Sequence, residues 1–264
     1  MTDPTSLAAV LAGSDVYRRG PVELRLGDYR EVLLDVEPDA VIADTPYSAK
    51  THAGALSATG ERGVNGYGAW DNLDACAFVE RWAHVPGWLV IHNDDVLGPH
   101  LREVMEQAGR RAFPLLPVLQ HMPRLQGDGP GQHGHYLAVS RPRAQRFLGW
   151  GSLPGWYEAG RDGSIVKGGK PLSLMRVIVR DYSRPGDLVC DPCAGGGTTL
   201  LAAALEGRRA IGAELDPETF KKACKRLDDE AGRIATAQLR WQGPERKRKP
   251  KQAGLCFDTP EAAE

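Results

Sequence analysis

Short apolar runs that stop abruptly at an acidic residue constrain this chain more than any other feature. Ala40-Val41-Ile42-Ala43 ends directly at Asp44, and Leu188-Val189-Cys190 ends at Asp191 and a glycine-rich turn. Such runs offer no polar face to water, so both sides must be covered, as in the buried parallel strands of α/β proteins. Gly87-Trp88-Leu89-Val90-Ile91 and Arg209-Ala210-Ile211-Gly212-Ala213 read in the same way. Val22-Glu23-Leu24-Arg25-Leu26 alternates apolar and polar residues up to Gly27-Asp28, a strand followed by a turn and a short helix. The intervening periodicity predicts helices over 72–84, 96–108, 171–182, 198–206 and 217–227, with Asn72 as a cap and Pro217 in a first turn. Strands are also expected over 112–119 and 136–139, with the Gly- and His-rich stretch between them as a loop. Alternating strands and helices with short links predict a doubly wound, mainly parallel α/β sheet. The expected organisation is an N-terminal extension over 1–20 and a single domain over 21–230. Irregular segments at 48–70 and 149–169 interrupt that domain, and a basic, flexible tail covers 231–264.

A hydrophobic content of 42% with 25% charged residues supports a sizeable core and excludes wholesale disorder. No apolar run approaches the ~20 residues that span a bilayer. Met1-Thr2-Asp3-Pro4 lacks the basic and apolar regions of a signal peptide, so a cytoplasmic protein without a membrane partner is expected. The cysteines Cys76, Cys190, Cys193, Cys224 and Cys256 are scattered. Cys190 and Cys193 have C-x-x-C spacing, but no second pair completes a zinc site, and no metal is expected. His121, His133 and His135 lie in a Gly/Pro stretch without acidic or thiol companions, and read as surface or nucleic-acid-backbone histidines. With a formal net charge of -1, any nucleic-acid contact must come from local patches such as Arg246-Lys247-Arg248-Lys249-Pro250-Lys251, which alternatively forms a solvated tail.

Asp191-Pro192-Cys193-Ala194-Gly195-Gly196-Gly197-Thr198-Thr199 lies between a strand and a helix, where glycines permit a tight turn and close backbone approach to a ligand. The next strand ends in Glu214, a carboxylate suited to a ribose diol. Together they suit any adenosine-containing cofactor, nicotinamide dinucleotides included. The alternative is an ordinary strand-to-helix turn.

Asp191 to Thr199 resembles the D-P-F-x-G-x-G-T-T cofactor loop of amino-group DNA methyltransferases, and Ile211-Gly212-Ala213-Glu214-Leu215-Asp216-Pro217 is similar to their following strand. Lys170-Pro171, leading toward Leu174, resembles the segment before this loop in the permuted β group. The resemblance implies a Rossmann-like fold and S-adenosylmethionine as cofactor. By it, Asp191 and the backbone of Gly195, Gly196 and Gly197 embrace the methionine moiety, and Glu214 holds the ribose. Lys170, Pro171, Pro192, Cys193, Thr198 and Asp216 complete the expected cofactor set. Asp28 resembles the residue that faces the cofactor adenine, with a helix cap as its alternative role. Cys193 stands where the family usually has phenylalanine, which implies looser packing against the cofactor.

An exocyclic amino group is a poor nucleophile because its lone pair is delocalised into the ring. Acceptors aimed at its two hydrogens favour a pyramidal nitrogen with an available lone pair. Asp44-Thr45-Pro46-Tyr47 carries the necessary parts: the Asp44 carboxylate, the Thr45 carbonyl, and the Tyr47 ring as a stacking face for a flipped base. This tetrapeptide resembles the D-P-P-Y motif of the same enzymes, with Thr45 in place of the first proline. Its position before the cofactor loop matches the β group. Asp at the first motif position implies adenine N6 over cytosine N4, whose enzymes in the family more often carry serine. A catalytically impaired DNA-binding relative is the other alternative, raised by Thr45 and Cys193.

The expected partner is double-stranded DNA. Lys50, His52, Arg62 and Asn65, in the segment after the tetrapeptide, have side chains suited to phosphates or base edges. Residues 149–169 occupy the family's usual target-recognition position. Gln252-Ala253-Gly254-Leu255-Cys256-Phe257 resembles the Q-x-x-L-x-F peptides that dock on sliding clamps, through Gln252, Leu255 and Phe257. Leu255 and Phe257 folding back on the domain is the alternative. A homodimer also stays open.

Overall fold

Successive residues of the central strands point into two separate cores. Val41 and Ala43 pack with Leu33, Phe78, Trp82 and Leu101, whereas Ile42 between them packs with Leu174, Ile178 and Leu200. Leu89 and Ile91 against Val90, and Cys190 against Val189, divide in the same way. The two-residue period of a strand therefore explains why these runs carry no polar position: both faces are roofed by helices. The computed structural model describes residues 3–51, 53, 68–126, 128–143, 150–160, 162, 166 and 168–241, without the side chains of 121–126 and 133.

Among the described residues the strands are β1 (Val16–Arg19), β2 (Val22–Leu26), β3 (Ala40–Asp44), β4 (Leu89–Asn93), β5 (Arg110–Ala112), β6 (Leu116–Gln126), β7 (Gly129–Pro142), β8 (Tyr157–Glu158), β9 (Leu188–Asp191) and β10 (Arg209–Glu214). They form one sheet ordered β1-β2-β10-β9-β3-β4-β7-β6-β8, with β5 paired to β7. The run from β2 through β10, β9 and β3 to β4 is parallel, and β7 reverses direction against β4. This is the doubly wound, Rossmann-like arrangement expected. The helices Leu172–Tyr182, Thr198–Leu205 and Pro217–Asp229 cover one face, and Asn72–Trp82 and Leu97–Gln107 the other. No helix among the described residues is long and apolar enough to cross a membrane.

Three expectations are corrected. The Gly- and His-rich stretch between 119 and 136 is not a loop: β6 and β7 form a long antiparallel hairpin with register shifts between Leu119 and Gln126. Its glycines mislead because one serves close approach; a Cβ on Gly134 would collide with the Val118 carbonyl of the partner strand. The expected N-terminal extension is integral, since Leu7–Leu11 is a helix, β1 pairs with β2, and Val10 and Tyr17 are buried in the core. The expected tail begins later than residue 231, because Ala231–Arg240 is a helix burying Ile234 and Ala237. The basic run and Gln252, Leu255 and Phe257 lie outside the described residues.

Candidate active site

The strand order reverses between β9 and β3. From β9 the chain builds outward through β10, and from β3 it builds the other way through β4. In an open α/β sheet, such a switch point opens a crevice at the carboxyl ends of the strands. Ala40 and Val41 register with Val189 and Cys190, so Asp44 and Asp191 end neighbouring strands, with Glu214 at the end of the next. A cleft of about 610 Å³ lies there, lined by Asp28, Asp44, Pro46, Lys170, Asp191, Pro192, Cys193, Gly195, Gly196, Thr198, Glu214 and Asp216. Thr45, Tyr47, Pro171 and Gly197 stand outside that lining. Gly197 precedes the helix Thr198–Leu205 at φ 70°, a left-handed conformation that favours glycine, and Pro171 precedes the helix Leu172–Tyr182.

On the β9–β10 side the wall is acidic. Asp191 is buried and accepts the Cys193 N–H at 3.1 Å; burial pushes its carboxyl up to about 7. Glu214 is buried as well, accepts the Asp216 N–H at 2.8 Å, and is shifted upward by desolvation. Asp216 itself caps the helix Pro217–Asp229 by accepting the Thr219 N–H at 2.8 Å. The Thr198 hydroxyl accepts from Arg226 at 2.8 Å. Asp28 is a helix cap that also reaches the cleft. It caps the helix Tyr29–Val32 through the Arg30 N–H at 2.8 Å, pairs with the Arg30 guanidinium at 2.6 Å, and still lines the cleft.

On the β3 side, Asp44 Oδ1 accepts a 2.6 Å hydrogen bond from Lys170 Nζ, which also lies 5.0 Å from the centroid of the Tyr47 ring. Lys170 thus lines the cleft but its charge goes to the tetrapeptide. Burial works against the Lys170 ammonium, yet Asp44 and Tyr47 outweigh it and raise the lysine above its ordinary value. Thr45 is buried and donates its hydroxyl to the His92 carbonyl at 3.2 Å, a side-chain anchor where proline would have restrained φ. The Tyr47 hydroxyl is buried without a hydrogen-bond partner among the described residues.

Two features here were missed from sequence. Asp94 accepts the Ser48 N–H and hydroxyl, the Thr51 hydroxyl, and the Val96 and Leu97 N–H groups, joining the segment after Tyr47 to the start of the helix Leu97–Gln107. An acidic residue three positions before a helical run is the signal that marks it. His135 is the second. It is not a surface histidine but a buried one, its Nε2 2.9 Å from His92 Nδ1, and burial holds both rings well below the ordinary histidine range. Lys50 is exposed and paired with Asp95 at 2.8 Å, while His52, Arg62 and Asn65 lie outside the described residues.

The family model described as DNA methylase, of the N6/N4 methyltransferase type, matches residues 157–225, which span the cofactor-side strand, turn and helix. The chain is 44% identical over 59 residues to DNA adenine methyltransferase YhdJ of Escherichia coli (strain K12), a match covering 22% of this chain and 20% of that protein. The chain thus spans about a fifth of the length of this curated relative. TTHA0409 of Thermus thermophilus, a putative DNA modification methylase solved in complex with S-adenosyl-L-methionine, superposes with a TM-score of 0.58 at 25% identity, over 79% of this chain and 93% of that one. PvuII DNA methyltransferase, described as cytosine-N4-specific, shares the fold with a TM-score of 0.56 at 17% identity, over 85% and 93% of the two chains. A glycine turn and two acidic strand ends thus lie on one side of the switch point and Asp-Thr-Pro-Tyr on the other, and within this arrangement residues 157–225 are similar to the N6/N4 type of DNA methylase.

Proposed function

We propose that the protein transfers the methyl group of S-adenosylmethionine to the N6 amino group of adenine in double-stranded DNA. The observation that carries this reading is the convergence of Asp44 with Asp191 and Glu214 on one cleft, from strands that are neighbours only in the folded sheet. The residues fit the cofactor. A buried carboxylate at Asp191 calls for a cation such as the methionine ammonium, and Glu214 accepts hydroxyl donors such as the ribose diol. When bound, S-adenosylmethionine supplies a methyl group made electrophilic by its sulfonium. Its complex with a relative of 25% identity supports the assignment.

The chain's own groups do the rest. Tyr47 offers its ring to the flipped base, while the Asp44 carboxylate and Thr45 carbonyl accept the two amino hydrogens and direct the nitrogen lone pair toward the cofactor side. Holding both reactants in one cleft replaces an encounter in solution by an oriented contact. Adenine is favoured by the carboxylate at position 44 and by the similarity to an adenine enzyme. Cytosine N4 is the second reading, because the matching family model takes in both amino groups and the same two acceptors serve either. The hydroxyl anchor of Thr45 argues against a catalytically impaired relative.

Incubating the protein with methyl-labelled cofactor and mixed-sequence DNA, then digesting to nucleosides, tests the proposal. Labelled N6-methyladenine is expected. Labelled N4-methylcytosine would transfer the assignment to the second reading, and label in neither overturns both.

A further inference from the structure

Lys170 was expected, from its place before the cofactor loop, to serve the cofactor. Its ammonium instead lies 2.6 Å from Asp44 Oδ1 and 3.4 Å from the Gly168 carbonyl, with no hydrogen bond to Asp191 or Glu214. The side chain is 11% exposed, so this is a sheltered contact in which charge counts for more than at the surface. Among the described residues, no hydrogen bond engages the other Asp44 oxygen. One oxygen is therefore held by the lysine, on a residue that lines the cleft. A carboxylate tethered at one oxygen cannot swing between rotamers, and a fixed acceptor is worth more to an oriented reaction than a free one.

The surroundings reinforce this division of labour. His92 on β4 and His135 on β7 face the same ammonium, and burial keeps both neutral, so neither competes for Asp44 as a cation. From β9 and its turn, Asp191 and Cys193 face Asp44, and Asp94 approaches from beyond Tyr47. These groups are acidic or neutral. The same ammonium lies over the Tyr47 ring, a cation–π contact that fixes the stacking side chain to the acceptor beside it.

We propose, resting on the methyl-transfer reading above, that Lys170 is a positioning residue for the target base, acting through Asp44 and Tyr47, and is not a cofactor ligand. Its charge sets the Asp44 acceptor and the Tyr47 ring in one rigid unit before the base arrives.

The test compares full-length wild type, Lys170→Met and Lys170→Arg. Cofactor affinity is measured by calorimetry, and turnover on DNA is measured at saturating cofactor. For Lys170→Met, turnover should fall about 10²-fold, the scale of loss for a misplaced reacting group, with cofactor affinity within about threefold. Lys170→Arg, which keeps the charge, should recover part of the turnover. A rise in the cofactor dissociation constant that matches the loss, with turnover at saturation unchanged, overturns the proposal. So does an equal loss in both variants with a lowered melting temperature, which would make the lysine structural. Wild type that labels no DNA base overturns the methyl-transfer reading itself; an active wild type with an equally active Lys170→Met overturns only the role of the lysine.

Discussion

Asp94 holds Ser48 by two hydrogen bonds, to its N–H at 2.9 Å and its hydroxyl at 2.6 Å, and so clamps the residue that follows Tyr47 to the start of the next helix. The same carboxylate accepts the Leu97 N–H at 3.0 Å. One buried side chain thus ties the turn after Asp-Thr-Pro-Tyr to the helix Leu97–Gln107.

Asp94→Ala should therefore cost on the order of 3 kcal/mol, because several buried donors lose their acceptor together. Turnover should fall more than cofactor affinity, since the clamp lies on the β3 side of the switch point. Urea unfolding with calorimetric cofactor binding checks both. A loss of stability near zero would mean that water replaces the carboxylate.

Cofactor binding should weaken as pH falls below about 7. Burial raises the Asp191 carboxyl to about 7 in the free protein, and an ammonium placed against it favours the ionised form. Binding must then release a proton below that pH, and affinity should drop about tenfold for each unit of acidification. Calorimetry in buffers of different ionisation enthalpy reads the proton release directly. Asp191→Asn should abolish both the release and the slope.

Glu214→Gln should raise the cofactor dissociation constant while leaving turnover at saturation within about threefold, because ribose contacts are equal in ground and transition states. A variant with unaltered affinity and slowed chemistry would contradict the ribose role.

Tyr47→Ala should cost about 1 to 3 kcal/mol of transition-state stabilisation through lost stacking. Tyr47→Phe should be mild, because the Tyr47 hydroxyl has no hydrogen-bond partner among the described residues. Steady-state kinetics on DNA separate the two, and equal damage from both would point to the hydroxyl.

The turn from Asp191 to Thr199, the strand ends at Asp44 and Glu214, and the helices around them were legible in the sequence because their signals are local. An apolar run, a left-handed glycine and a capping residue act on neighbours a few positions away. Long-range contacts were not legible. Lys170 meets Asp44 across 126 positions, His92 meets His135 across 43, and Asp94 meets Ser48 across 46. Each pairing exists only because the sheet sets β3 between β9 and β4 and lays β7 beside β4. The hairpin of β6 and β7 failed for the same reason, since the value of Gly134 depends on how closely Val118 approaches it. Local signals were enough for the fold class and for the chemical groups at the strand ends. Tertiary structure alone decided which charge each of those groups meets, because electrostatic and hydrogen-bond partners are chosen by distance in space and not by distance along the chain.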